Sequence, residues 1–536
     1  MPSRPQSLYS GWRRAVALVC AGAVAGSAIV APAQAQNQLP ALGDSVSADF
    51  EVGFERKIGD EIMREIRRDP DYIDDPLLFD YMQSIWQPLV TAARKHGEIS
   101  AESSQRFAWE AFLVRDRSVN AFALPGGFVG IHLGLIAMTS SADELASVLA
   151  HELSHVTQRH IARGIVNSKR QSLLSAAAMI VGLLAASRSN RGDAANAVIT
   201  GGQAASIQGQ LNFSRDMERE ADRIGFSLLT SAGFSSSGMA AMFEKLDQGS
   251  RLNDSGGFPY LRSHPLTTER IGAARARLGT ADVAAPVGQL EHVLAQARAR
   301  VLMDTRVQAL QRLQTSDQDA VPLRRNDRQA ISDALSAAIS SAFASTLLRD
   351  WPRADAALAQ AARLLRAAGA EQGGRAEANL TMLVAESRLE RGDAAAAAAA
   401  LAALPAAHAS RRPVVLLAAR IAMLGNAADP ALRQQAGRLQ TWVADHPQDA
   451  TAWLVLSQVW SRLDFPLRSM RAEAEGRYAI GDLTGAIDRL RAGQTLARAG
   501  GPVDFIDASV IDARLRTIEA ERRLEMLERE QQRRGG

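Results

Sequence analysis

Apolar positions along this chain recur mostly at three- and four-residue steps, so most of it reads as helix. Ile58, Ile62 and Ile66 form one helical stripe, and Leu77, Leu78, Tyr81, Ile85 and Leu89 form another. From Phe107 to Arg115 the period shortens to two, as in a strand. Asn120-Ala121-Phe122-Ala123-Leu124, the turn signal Pro125-Gly126-Gly127 and Phe128 to Leu133 together read as a β-hairpin. Helical spacing returns from Ser141 to Gly164 on Leu145, Val148, Leu149, Leu153 and Val156. Ser141 and Glu144 have capping-box spacing, Asp143 and Glu144 suit the positive end of a helix dipole, and Gly164 can act as a left-handed stop. A further helix is expected over Ser214 to Gly225. Pro265 sets an extended or turn geometry at His264, and Thr267 or Thr268 can cap a helix starting near Glu269.

Past about Gly279 nearly everything is alanine-rich helix, after a short Ala/Pro stretch from Ala281 to Pro286. Gly392-Asp393 and Gly481-Asp482 mark turns, Asp350-Trp351-Pro352 resembles a third helix start, and His446-Pro447 reads as a stop before a Trp-bearing helix. These features resemble degenerate tetratricopeptide repeats with a period of ~34 residues, about three to five in number and in irregular register. A generic helical bundle is the plainer alternative. Stacked helix pairs would offer a concave surface suited to extended peptides or partner proteins. A charged helix from about Ile511 to Arg534 would cap the array.

Composition adds limits. The 61 basic and 58 acidic residues nearly cancel, with no basic tract to suggest nucleic acid. Arg13-Arg14, an apolar run from Ala15 to Ala31 and the small-x-small run Ala33-Gln34-Ala35 predict a secretory signal peptide over residues 1–35. The one cysteine, Cys20, lies inside that run, so the mature chain would hold no disulfide and no cysteine ligand. The expected organisation is a first domain over 36–280, a linker over 281–300, a helical-repeat domain over 301–510 and the charged helix over 511–536. An apolar, small-residue run from Leu173 to Ala186, followed by a Gly/Ala/Asn/Gln-rich stretch to Gln210, has three competing readings: a dip into a membrane surface, a lid over the cleft, or a buried helix with a surface loop. No later apolar run reaches the ~20 residues of a spanning helix.

The chemistry concentrates at His151-Glu152-Leu153-Ser154-His155. On a helix the two histidines lie one turn apart on the same face and can share one zinc ion at roughly 2.0–2.1 Å. Glu152 points in a neighbouring direction and can take a proton from a zinc-activated water attacking a carbonyl. A catalytic zinc site wants a third protein ligand and one open position. Glu218, in Ser214-Arg215-Asp216-Met217-Glu218-Arg219-Glu220-Ala221-Asp222, can supply it, and Asp222, one turn on, can accept the free N–H of a ligating histidine. Glu220 is a competing ligand. The other histidines, His96, His132, His160, His292, His408 and His446, lack ligand-like spacing, and His160 is expected to point elsewhere on the helix.

HELSH followed by SRDMEREAD resembles the HtpX-like and BepA-like zinc metallopeptidases of peptidase family forty-eight. The resemblance implies a mainly α fold: a gluzincin-type metallopeptidase domain with a small β-sheet, then an all-α tetratricopeptide-like domain. It carries His151, His155 and Glu218 over as ligands of one Zn2+, Glu152 as general base and Asp222 as the support of a ligand. Asn120-Ala121-Phe122 resembles the run on the substrate-holding edge strand of such enzymes, which makes Asn120 and Ala121 backbone-binding candidates; plain hairpin residues are the alternative. The HP-L-x-x-x-R-I pattern from His264 resembles the BepA-like segment whose histidine occupies the open zinc position, which makes His264 a removable fourth ligand and latency switch. The implied protein is periplasmic, peripheral to the outer membrane, and assists the assembly of outer-membrane proteins while degrading stalled ones, with the repeats contacting the assembly machinery. A chaperone or scaffold with little proteolysis is the rival class.

Overall fold

Ile58, Ile62, Met63 and Ile66 line one side of α1 (Val52–Ile66) and close over one face of a four-stranded sheet against Phe112, Leu124 and Phe128. The structure, a computed structural model, describes residues 52–167, 214–252, 257–278, 289–318, 328–425, 430–499 and 505–535. The expected signal peptide, the stretch 36–50, the run 173–186 with its polar continuation and the Ala/Pro stretch 281–286 lie outside the described residues.

A short strand, β1 (Tyr72–Ile73), leads into α2 (Pro76–Lys95), whose first turn is fixed by Asp75, the N-cap, accepting from the Leu78 amide at 3.0 Å, and by Pro76 at the first helical position. After α3 (Ala101–Arg106) come β2 (Glu110–Val114), β3 (Ala121–Leu124) and β4 (Phe128–His132). The expected hairpin is present: β3 and β4 pair antiparallel, closed by Gly126 and Gly127 at φ +79° and +91°. A Cβ on Gly126 would also come within 2.9 Å of the Arg56 backbone. The sheet is mixed, because β2 pairs parallel with β4, and its order is β1-β2-β4-β3. Ala111, Leu113, Val129 and Ile131 face the side opposite α1 and enter the main core. That core is built on α2 and, beyond α4 (Leu133–Met138), on α5 (Ala142–Thr157).

α5 is buried from Ala142 to Val156. Ser141 Oγ accepts from the Glu144 amide at 3.1 Å, while Glu144 Oε2 accepts from the Ser140 amide at 2.7 Å, a reciprocal start close to the predicted capping box. The helix does not run on to Gly164 as its periodicity suggests. It ends at Thr157, Arg159 adopts φ +52° while its Nε donates to buried Glu55 at 3.0 Å, and a new helix, α6 (His160–Asn167), contains Gly164. α7 (Arg215–Ser231) packs along α5, and α8 (Ser237–Leu252), α9 (Tyr260–Ser263) and α10 (Thr268–Leu278) complete this half. Thr267 Oγ1 caps α10 by accepting from the Arg270 amide at 3.3 Å.

The rest is helical: α11 (Gln289–Leu302), α12 (Val307–Gln314), α13 (Arg328–Leu347), α14 (Trp351–Ala367), α15 (Arg375–Glu390), α16 (Ala394–Ala402), α17 (Arg412–Leu424), α18 (Pro430–Asp445), α19 (Ala450–Arg462), α20 (Pro466–Ala479), α21 (Leu483–Arg498) and α22 (Phe505–Gly535). α11 begins inside the range 281–300 assigned from sequence to a linker and runs past its end, and it buries Val293, Leu294, Ala297 and Val301. α13 corrects the expectation about apolar runs. Residues 329–347 are long and apolar enough to cross a membrane, yet they lie mostly buried inside the fold. The Gly-Asp signals have a plain basis. A residue at positive φ (Arg349, Gly392, Gly481) closes one helix, and the next residue (Asp350, Asp393, Asp482) caps the following one through its side chain.

One acidic stretch ahead of and within α2 ties these helices to the sheet-bearing half. Asp75 takes a two-pronged bond from Arg298 at 2.7 Å, and Arg298 also reaches Glu386 at 2.8 Å. Asp74 pairs with Arg412, which also grips Asp449 at 2.7 Å. Asp80 receives Arg375 and Arg411. Breaking a buried pair on one side strands the other charge. Asp75→Asn keeps an N-cap side chain but leaves Arg298 short of a counter-charge, so it should lower the free energy of unfolding by about 3–5 kcal/mol, read as a lower denaturant midpoint.

His292 makes a second such tie. Its Nε2–H donates to the Thr139 carbonyl at 2.9 Å, so Nδ1 accepts from Tyr81 O–H at 2.6 Å. Burial holds this imidazole down to about 4, against an ordinary 6.5. The folded state therefore refuses a proton that the unfolded chain takes up, and stability drains as pH falls from 6.5 toward 4. Denaturation midpoints measured across that window should fall less steeply for His292→Gln than for the wild type.

Candidate metal centre

α5 carries His151 and His155 one turn apart, α7 brings Glu218 against them, and His264 enters from the end of α9. All four are buried, at 2% exposure or less. The donor atoms converge. His151 Nε2 lies 3.0 Å from His155 Nε2 and 3.3 Å from His264 Nδ1, and Glu218 Oε1 lies 3.0 Å from His264 Nδ1 and 3.4 Å from His155 Nε2. A tetrahedron with metal–nitrogen bonds of roughly 2.0–2.1 Å has edges of roughly 3.3–3.4 Å. One ligand atom from each residue fits within 4.8 Å of every other, so the group could hold a metal ion. The donor set, three imidazoles and one carboxylate in four-fold arrangement, suits zinc.

Asp222 lies one turn beyond Glu218, with Oδ1 3.0 Å from His151 Nδ1. Burial opposes charge on His151, but the carboxylates of Asp222 and Glu218 outweigh it and lift its pKa to about 9. For Glu218 burial is likewise the largest influence, yet His264 and His151 beside it hold the carboxyl far below the usual range. Burial keeps His155 well below an ordinary histidine.

Arg270 is a part of the site to which the sequence reading gave no role. It forks onto Asp222 at 2.7 and 2.8 Å, its Nη1 lies 2.7 Å from Glu218 Oε2, and the same nitrogen donates to the Pro265 carbonyl at 2.9 Å. One guanidinium thus links both carboxylates of α7 to the segment that carries His264. The sequence signal was its place in the R-I step after His264-Pro265, which alone says nothing about partners.

Glu220, the competing choice beside Glu218, is not among the converging donors: its Oε2 faces His160 Nε2 and Arg163 Nη1, each at 3.0 Å. One reading is corrected. His160 does not point away from the centre; its Nδ1 lies 2.9 Å from His155 Nδ1. The break at Arg159 turns it there, which a straight-helix projection misses. His96, His132, His292, His408 and His446 stay apart from the cluster among the described residues.

Glu152 sits at 0% exposure beside the cluster. Among the described residues neither of its oxygens has a hydrogen-bond partner, and Oε1 is 3.5 Å from His264 Nε2. Buried carboxylates are ordinarily satisfied by hydrogen bonds, whereas this one faces the His264 ring. His264 is backed by the ring of Tyr260, stacked at 4.6 Å. Ala121 opens β3, the sheet-edge strand that packs on α5, and Asn120 stands just before it. There the Asn120 carbonyl accepts from the His132 amide, while the neighbouring Val119 exchanges bonds with Gly257 and Tyr260. The segment that leads to His264 therefore already lies along the approach to that edge.

Comparisons with known proteins fall on this half of the chain. Residues 79–278 match peptidase family M48. The chain is 37% identical over 270 residues to a putative beta-barrel assembly-enhancing protease of Vibrio cholerae, covering 50% of this chain and 53% of that one. It is 35% identical over 262 residues to the beta-barrel assembly-enhancing protease of Escherichia coli, covering 49% and 51%. A mitochondrial metalloendopeptidase, OMA1, of Schizosaccharomyces pombe is 31% identical over 230 residues, covering 42% and 61%. The chain thus spans about half the length of the first two of these curated relatives.

A metal-stabilised cluster makes a direct prediction. With free zinc at 100 times its dissociation constant, metal-depleted protein should gain about 2.7 kcal/mol, seen as a higher Tm in a thermal scan. Glu218→Gln should lose most of that rise.

Proposed function

We propose that this chain, whose residues 79–278 form an M48 peptidase domain, is a zinc-dependent endopeptidase of the periplasm that hydrolyses misassembled outer-membrane proteins and assists their assembly. The reading rests on one observation above others: four donor atoms converge beside the unpartnered carboxylate of Glu152, all within the matched residues. The names of the bacterial relatives, beta-barrel assembly-enhancing proteases, supply the client class.

In this reading His151, His155 and Glu218 hold the zinc, and Asp222 keeps His151 in the tautomer that presents Nε2. A zinc ion bound there supplies Lewis-acid activation of water and of the scissile carbonyl. Glu152 accepts the water's proton and returns it to the leaving amine. Of the two candidates Asn120 and Ala121, Ala121 offers main-chain groups on the free edge of β3 to an extended substrate, while the Asn120 carbonyl is held by His132. Arg270 neutralises the two carboxylates of α7 so that their burial beside the imidazoles is sustainable.

His264 serves as a removable fourth ligand. Its Nδ1 stands among the ligands while its Nε2 faces Glu152, so one ring blocks both the open metal position and the base. Activation then requires the 257–264 segment to leave Val119 and the cluster. The same closure favours a second reading, in which the protein acts mainly as a chaperone or scaffold through its helical array and cleaves little.

Degradation of an unfolded outer-membrane protein by the full chain separates the two. His264→Ala should raise cleavage, as expected when a ligand that fills the open metal position is removed, and adding Glu152→Gln should abolish it. Client captured with zinc bound, but no cleavage in any form, would leave the chaperone reading standing alone.

A further inference from the structure

Metal-bound imidazoles are held in place by whatever takes their second N–H. His151 has Asp222. His155 faces a different group. Its Nε2 points into the ligand cluster, 3.0 Å from His151 Nε2, so when it ligates its proton resides on Nδ1. Nδ1 lies 2.9 Å from His160 Nδ1. Two ring nitrogens at that distance share one proton, and His155 supplies it, so His160 Nδ1 is the acceptor. The proton of His160 is thereby placed on Nε2, 3.0 Å from Glu220 Oε2, which can only accept as a carboxylate. Arg163 Nη1 donates to the same oxygen at 3.0 Å and keeps it ionised. Every link then has one donor and one acceptor.

We propose that His160 and Glu220 are positioning residues that act through His155, a carboxylate–imidazole chain parallel to the single carboxylate behind His151. The proposal rests on the metallopeptidase reading above, since it assigns residues to the support of a metal ligand. It also gives a function to the left-handed Arg159. Five residues along an unbroken helix, His160 would sit well round from His155; the break at Arg159 swings it behind the ligand. α7 then contributes three acids at alternate positions with three separate tasks: Glu218 toward the metal, Glu220 toward His155 through His160, and Asp222 toward His151.

The test is zinc affinity, measured on the full chain by competition with a chromophoric chelator, together with the visible spectrum of the cobalt-substituted protein. His160→Phe, which fills the space but cannot accept, should weaken zinc binding about 10–100-fold and alter the cobalt bands. His160→Asn, whose Oδ1 can stand near the position of Nδ1, should restore most of the affinity, a rescue that simple packing does not predict. Wild-type affinity and spectrum in His160→Phe would overturn the proposal. If that variant fails to fold, Glu220→Ala, altered at the partly exposed end of the chain, carries the same two outcomes. Absence of zinc binding by the wild type would instead overturn the metal reading itself.

Discussion

Burying four imidazoles, His151, His155, His160 and His264, and three carboxylates, Glu152, Glu218 and Asp222, within a few ångströms of their neighbours is the constraint that governs this structure. Charges in such a place survive only when each is matched by an opposite charge or a hydrogen bond. Arg270 meets part of the demand by gripping Asp222 and approaching Glu218 while also holding the Pro265 carbonyl. A divalent cation among the ligands would meet most of the remainder. The stiffness of the surroundings follows from the same need. α5 is buried along nearly its whole length, and α7 runs close enough that a Cβ on Gly225 would come within 3.1 Å of the His151 amide nitrogen.

Much of this was legible in the sequence because local rules carried it. The spacing of His151 and His155, the cap at Ser141, the Pro-Gly-Gly turn and the aspartates at helix starts each depend on a few neighbouring residues, and each has the expected structural form. The placement of Glu218 and Asp222 one turn apart likewise needed only the helical repeat. What stayed hidden depends on a single backbone torsion or on contacts between distant segments. Nothing in Thr157-Gln158-Arg159 announces a positive φ, because the pull on Arg159 comes from Glu55, about a hundred positions earlier. The partners of Arg270 and His160 were out of reach for the same reason.

The helices after residue 289 read as a separate module by composition, and their repeating turns support that as a description of local structure. Their arginines tell a different story. Arg298, Arg375, Arg411 and Arg412 do not present a basic face to solvent; they converge on Asp74, Asp75 and Asp80. The sequence showed acids and bases in near balance, which is what a surface of solvated pairs also looks like. Only the fold distinguishes the two.

That acidic stretch has a consequence for how such a chain can be taken apart. A composition boundary near residue 280 invites cutting, yet the seven residues from Asp74 to Asp80 would then face water on ground shaped for guanidinium groups, and Leu77, which packs among Met382, Leu389 and Leu417, would be laid bare beside them. The sheet-bearing half would lose part of its own wall. What reads in the sequence as two domains is joined by ion pairs through α2, and any loosening of the array would be felt on that helix, which also packs against α5.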